Sequence, residues 1–335
     1  MAQINSAFTL FMSLMVEAMP FLLLGVLFSG LLQFFVDERK LVALMPKNAF
    51  LGAFVGSCIG FLFPVCECGN VPVARRLLLQ GAPTSVAIGF LLAAPTINPI
   101  VFWATWTAFR DQPEVVFFRI LFSLIIATVI GWVFSVQKDV RPLLQSGVAA
   151  YMNRKLEKPT GSGSPLLQSG TYFLGQSSKP LITDPIEYEA MMSNKTDKPP
   201  NYRFQLLLDN TIQEMRELGG VLVLGSAIAA ILQVFVPRDF ILGLGQDNIT
   251  SILAMLLLAA VVSICSTVDS FFALSFASTF TTGSLVAFLV FGPMIDLKGV
   301  GLMLSVFKPR AILYIFGLAG LLTFLFCLFV NLYIS

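Results

Sequence analysis

Apolar residues in this chain come in long blocks separated by short polar joints, not as stripes on one helix face. Eight blocks stand out, at residues 8–35, 50–64, 85–109, 116–136, 219–236, 249–264, 285–306 and 311–332. A helix needs about 20 residues to cross a hydrocarbon core of roughly 30 Å. The pattern therefore predicts an all-α integral membrane protein with about eight transmembrane helices. The second and sixth blocks are short for a span. Each runs into a semi-polar stretch, 66–80 and 265–282, that either continues the same helix past a break or crosses separately. Separate crossing raises the count to ten. Eight spans give parallel halves, with both termini and the central linker cytoplasmic. Ten give inverted halves, with both termini outside. The first block has no basic leader, is too long for a signal peptide and carries Glu17, so it reads as an uncleaved first span.

Between the fourth and fifth blocks the pattern stops. Residues 137–204 are rich in Pro, Gly, Ser and Lys and carry nine Lys or Arg. Such a composition buries too little apolar surface to offset the entropy of folding, and basic loops favour the cytoplasmic side. The expected organisation is a first membrane repeat at 1–136, a disordered cytoplasmic linker at 137–204 and a second membrane repeat at 205–335.

The word repeat rests on a register. FLLLGVLFSGLLQFFV at 21–36 and VLVLGSAIAAILQVFV at 221–236 share seven of sixteen positions, Gly25/Gly225 and Gln33/Gln233 among them, with Glu17/Glu217 upstream. Apolar composition alone does not align Gly, Gln and Glu in one frame. With small gaps the register continues: CECGN at 66–70 falls beside CSTVD at 265–269, and APTINP at 94–99 beside GPMID at 292–296. Duplicated halves with interrupted helices at equivalent places mark secondary transporters.

The interruptions supply the candidate chemistry. Pro64, Gly69 and Pro72 bracket CECGN, Pro95 and Pro99 bracket Thr96–Asn98, and Pro293 stands beside Asp296. Proline removes a backbone donor, and freed backbone groups cannot face lipid, so these breaks are expected to line a protein-enclosed polar space. Cys66 and Cys68 are two apart and share a side in extended chain. With Cys265 they form a thiol set suited to a soft, thiophilic centre such as trivalent arsenic. The plainer alternative is that cysteine packs as a small hydrophobe, the reading favoured for Cys58 and Cys327. The expected solute-binding set is Cys66, Cys68, Asn70, Pro95, Thr96, Asn98, Pro99, Cys265, Asp269, Pro293 and Asp296. Asn70 and Asn98 serve equally well as caps for broken helices. Glu17, Glu67 and Glu217 are the proton-coupling candidates, since ionisable groups in spans are costly and functional by default. Arg75 and Arg76 read as headgroup anchors.

Composition then excludes classes. Charged residues make up 12% of the 335, against roughly 25% in soluble domains. The net charge of +2 forms no basic face, so no nucleic-acid partner is expected. Histidine is absent and no cofactor or metal site is expected. No phosphate-binding loop, nucleophile elbow or zinc-protease motif occurs, which points away from an enzyme or an ATP-driven pump. The expected partners are a small solute and the bilayer, and homo-oligomerisation stays open.

FPVCECGNVPVARRLLLQGAP, then LLAAPTINPIV, then the weaker second-half echo FGPMIDLKGV, resemble the YraQ/ArsP-type predicted permeases, over nearly the whole chain outside the linker. The resemblance implies a bacterial-type inner-membrane permease, usually drawn with eight spans, some of whose members export trivalent organoarsenicals. The positions matching the family motif are Cys66, Cys68, Pro95, Asn98 and Pro99. The expected function is a secondary permease working by alternating access, with a thiophilic solute as cargo. The alternatives are an inorganic ion or small metabolite as cargo, a membrane thiol oxidoreductase using Cys66 and Cys68, and a scaffold or sensor acting through the linker.

Overall fold

The computed structural model describes residues 2–35, 45–46, 48–62, 67–136, 144–145, 200–235, 248–277 and 279–333. Within them the regular structure is helical: α1 (Ala2–Phe35), α2 (Ala49–Leu62), α3 (Glu67–Leu79), α4 (Thr84–Ala93), α5 (Pro99–Ala108), α6 (Pro113–Val136), α7 (Pro200–Phe235), α8 (Asn248–Val261), α9 (Asp269–Leu274), α10 (Thr282–Met294), α11 (Leu297–Met303) and α12 (Pro309–Tyr333). The same order recurs from α1–α6 to α7–α12: a long helix, a short one, a further short one that opens on a carboxylate, a pair divided by a break, and a long one.

Among the described residues, four stretches are long and apolar enough to cross a membrane: Asn5–Leu27, Pro113–Ser135, Thr282–Met303 and Pro309–Tyr333. Large apolar side chains also stand out on the outer faces of α5, α7 and α12, where Trp103, Leu224 and Leu313 are each at least two-thirds exposed. In water such a belt would be an aggregation surface; against lipid tails it costs nothing. The protein is an all-α, multi-pass membrane protein.

Lipid supplies no hydrophobic drive between helices, so close packing needs small residues. α2 carries Gly52, Gly56 and Gly60 at four-residue spacing. A Cβ at Gly56 would collide with the Val86 backbone of α4, and one at Gly60 with the Ala94 backbone. Contacts advance along both helices together, from Gly52 with Ser85 to Gly60 with Ala94, so α2 and α4 run parallel. The chain must therefore return from the far end of α2 to its near end before α4 begins, and α3 is the described part of that return leg. The start of α2 meets the end of α6 through the edge-on pair Phe50 and Trp132, so α6 runs against both.

The second half repeats the arrangement. Ser251 pairs with Thr281 at one end of α8 and α10, and Ala259 lies against Gly292 at the other, so these two run parallel as well. α12 opposes them. Asn331 near its end accepts from Gly283 N (2.9 Å) and donates to Thr281 Oγ1 (2.9 Å) and Asn248 O (3.4 Å). One amide thereby ties the starts of α8 and α10 to α12. Leu10, Phe11 and Leu14 early in α1 pack on Ala229 and Ala230 late in α7, which sets the two long helices antiparallel.

Part of the expected linker is described. Leu144 is buried and forms an antiparallel bridge with Phe307. Gln145 N donates to Val306 O (3.0 Å) and its amide to Leu304 O (2.9 Å). Residues 200–204 already belong to α7.

Candidate functional site

The break between α4 and α5 begins with proline chemistry. Pro95 has no N–H to offer Leu91 O, four residues back. Asn70 of α3 fills the vacancy, its amide donating to Leu91 O at 2.6 Å. Thr96 Oγ1 turns back onto Ala93 O (2.9 Å), and the Asn98 amide onto Ala94 O (3.2 Å). Asn98 then goes extended, and its Oδ1 accepts from Val101 N (2.9 Å) as the cap of α5, with Pro99 as first helical residue. Pro95, Thr96 and Asn98 are thus held by their own break, while Pro99 faces outward, exposed.

The second half uses the same device with a charge. Pro293 sits inside α10, and the helix ends two residues later where Ile295 and Asp296 turn extended. Asp296 Oδ1 accepts from Gly299 N (2.6 Å) and caps α11, leaving Oδ2 buried without a hydrogen bond. Asn98 and Asp296 therefore cap equivalent helices.

Around Asp296 the two halves meet. Lys298, 1% exposed, lies with its Nζ 3.9 Å from Glu67 Oε1 at the start of α3. Asp296, Cys68, Glu67 and Glu17 are the anionic or ionisable groups within electrostatic reach of Lys298. Glu67 in turn senses Cys265 and Asp296. Glu67 Oε2 and Glu17 Oε1 accept no hydrogen bond. α3 reaches this point because Gly25 lets α1 approach the backbone at Gly69 too closely for any Cβ. The side chains come from four parts of the chain: Glu17 from α1, Glu67 and Cys68 from α3, Cys265 from the 263–268 turn, and Asp296 and Lys298 from the start of α11.

A second cluster lies across the same turn. Arg119 of α6, 1% exposed, holds Asp269 through both carboxylate oxygens, Nη1 to Oδ1 at 3.1 Å and Nη2 to Oδ2 at 2.8 Å. It also donates to Thr105 of α5 (2.9 Å), Ser270 of α9 (2.9 Å) and Ser266 O (3.4 Å). The fork geometry of guanidinium suits this set of acceptors. The packing is reciprocal: α3 touches α11, and α9 touches α5.

Of the sequence-derived set, Glu17, Glu67, Cys68, Cys265 and Asp296 come together. Asp269 joins the arginine cluster, and Asn70, Thr96 and Asn98 repair backbone. Cys66 and the side chain of Glu217 lie outside the described residues. Among those described, no three His, Cys, Asp or Glu side chains are spaced to hold a metal ion. Pro72 lies within α3 and does not interrupt it. Arg75 and Arg76 are buried, not at the headgroups, and Cys58 is exposed on its helix instead of packed.

Two residues escaped the sequence reading. Arg119 stands inside the apolar block 116–136, and Lys298 two residues after Asp296. A cation within an apolar block was the available signal; their partners, far off in sequence, were not.

The chain matches the ArsP_1 family, described as "Predicted permease", over residues 3–332. It is 38% identical over 310 residues to the UPF0718 protein YcgR of Bacillus subtilis, covering 92% of this chain and 90% of that protein. It is 31% identical over 322 residues to a Streptococcus mutans protein named "Putative two-component membrane permease complex subunit", covering 96% and 94%. No solved structure matches.

Proposed function

Because this chain belongs to the ArsP_1 family of predicted permeases, we propose that its transport site is the buried junction of Glu67, Cys68, Cys265, Asp296 and Lys298, and that its cargo is a small thiophilic solute such as a trivalent organoarsenical. The protein is a membrane permease, not an enzyme. One observation carries the site: the Glu67–Lys298 pair joins an early break to a late one inside the protein, flanked by thiols from both halves. A charged pair is expensive in a membrane and persists where a polar path is needed. Cys68 and Cys265 give reversible affinity for a soft centre, and the broken helices on either side give the hinge for alternating access.

The test is uptake of trivalent methylarsenite into proteoliposomes. Wild type transports it, and Cys68→Ser and Cys265→Ser each slow flux at least about tenfold, or ~1.4 kcal/mol. Unchanged flux in both variants, with flux still lost in Glu67→Gln, would move the proposal to an ion or small metabolite as cargo. The name of the Streptococcus mutans relative also supports a second subunit for this chain. Stoichiometric co-purification of one other polypeptide from native membranes tests that.

A further inference from the structure

Two buried ion pairs join one half of the chain to the other, and they do so reciprocally. Glu67, the first residue of α3, meets Lys298 of α11; Asp269, the first residue of α9, meets Arg119 of α6. Each half therefore gives one acid and one cation. All four residues are at most 6% exposed. A buried pair adds little net stability over packed apolar side chains, and its best-attested use is to fix or switch an arrangement.

The two pairs are not equally made. Arg119 grips both Asp269 oxygens, at 3.1 and 2.8 Å, and also reaches Thr105 and Ser270, each at 2.9 Å. The Thr105 and Ser270 hydroxyls close the ring at 3.1 Å, which binds α5 to α9. Lys298, by contrast, stands 3.9 Å from Glu67 Oε1, and neither Glu67 Oε2 nor Asp296 Oδ2 has a hydrogen bond. A charge-assisted hydrogen bond spans roughly 2.7–2.9 Å. One contact is shut and the other is half made. Between them runs the 263–268 turn. Cys265 is within electrostatic reach of Glu67, and the next residue, Ser266, gives its carbonyl to Arg119 at 3.4 Å.

We propose that the Arg119–Asp269 network is a second gate of the permease, parting and remaking in each cycle in alternation with Glu67–Lys298. α1 and α7 run antiparallel, so corresponding elements of the two halves are turned over. The α3–α11 and α9–α5 contacts are then counterparts of each other, facing opposite sides of the membrane. A solute at Cys68 and Cys265 sits between them. Alternating access requires one barrier to loosen while the other holds, and the state described here has the Arg119 side shut. Arg119 and Thr105 act as positioning residues: they hold α9 against α5 and need touch no cargo. The inference rests on the junction being the transport site, and adds the contact that alternates with it.

The test uses no cargo. Full-length protein in nanodiscs, its five cysteines replaced by alanine, carries spin labels at Trp103→Cys on α5 and Phe271→Cys on α9, positions at least half exposed. Dipolar EPR spectroscopy reads the distance between them. Two distances are expected, a short one for the shut gate and a longer one for the open gate. Arg119→Gln should raise the long-distance fraction at least about threefold, and Lys298→Gln, which frees the opposite contact, should lower it at least about threefold. Thr105→Val combined with Ser270→Ala keeps the ion pair, so it spares the fold, and should shift the fractions in the same sense as Arg119→Gln. A single distance in every variant would overturn the proposal. So would a longer distance in Arg119→Gln and Lys298→Gln alike, the mark of a network that merely holds the fold together. Opposite shifts without methylarsenite flux would sink only the choice of cargo, whereas flux that needs Cys68 and Cys265 alongside a single distance would sink only the gate.

Discussion

Arg119 makes five hydrogen bonds with its two terminal nitrogens, to a carboxylate, two hydroxyls and a carbonyl. Among the described residues Arg119 is the cation that meets Asp269, with the Ser270 hydroxyl as a further donor, so the balance of charge there rests on the guanidinium. Breaking such a pair from one side strands a buried charge. Arg119→Ala should lower stability by ~3–5 kcal/mol, whereas replacing both Arg119 and Asp269 by Leu should recover most of that loss. Urea or thermal unfolding of the detergent-solubilised protein reads both; equal losses in the single and double variants would contradict this account. Arg119→Lys should not rescue, because an ammonium cannot grip both oxygens and two hydroxyls at once. Asn70 offers a milder case. Asn70→Leu leaves Leu91 O without its donor beside Pro95, at a cost of about 1–3 kcal/mol by the same measurement.

Helix pairs are decided by their smallest residues. Gly56 and Gly60 set the distance between α2 and α4, and Gly25 the distance between α1 and α3. Gly56→Leu should push α2 off the Val86 backbone and deplete folded protein, seen as loss of the monodisperse peak in size exclusion; Gly317→Leu, where a Cβ would meet nothing within 4 Å, should leave the peak unchanged. The caps work at this scale too. Asn98→Ala removes the acceptor for Val101 N and should cost ~1 kcal/mol, as loss of an N-cap does. Asp296→Asn keeps an acceptor for Gly299 N, so it should spare the fold while altering the charge that Lys298 meets.

The whole molecule turns on how often the chain crosses. Parallel α2 and α4 require a return leg between them, and α8 and α10 repeat the requirement. Counting that leg gives five passes in each half, an odd number, and an odd number inverts the second half relative to the first. Antiparallel packing of α1 on α7 agrees. With the basic linker inside, both termini are then expected outside. Reporter fusions active only in the cytoplasm should be silent at both ends and active in the 146–199 segment. Activity at all three places would restore an eight-pass arrangement with parallel halves.

From the sequence came everything that depends on local composition. Blocks of apolar residues announced the membrane, and a matched register of Gly, Gln and Glu announced the halves. Pro95 and Pro293 announced the breaks before α5 and α11, since a missing N–H acts on its own helix wherever that helix lies, although Pro72 sits inside α3. Asn98 could be foreseen as a cap because a cap reaches only three residues along, whereas Asp296 was expected in the solute site and its capping of α11 came from the structure. Which distant groups share one buried space is a different matter. Glu67 finds Lys298 across 231 positions (298 − 67), and Arg119 finds Asp269 across 150. No periodicity encodes such pairs, because they follow from how short helices from two halves cross. Only the tertiary structure gathered scattered carboxylates, thiols and two overlooked cations into two buried clusters, for charge in a low dielectric is governed by distance in space.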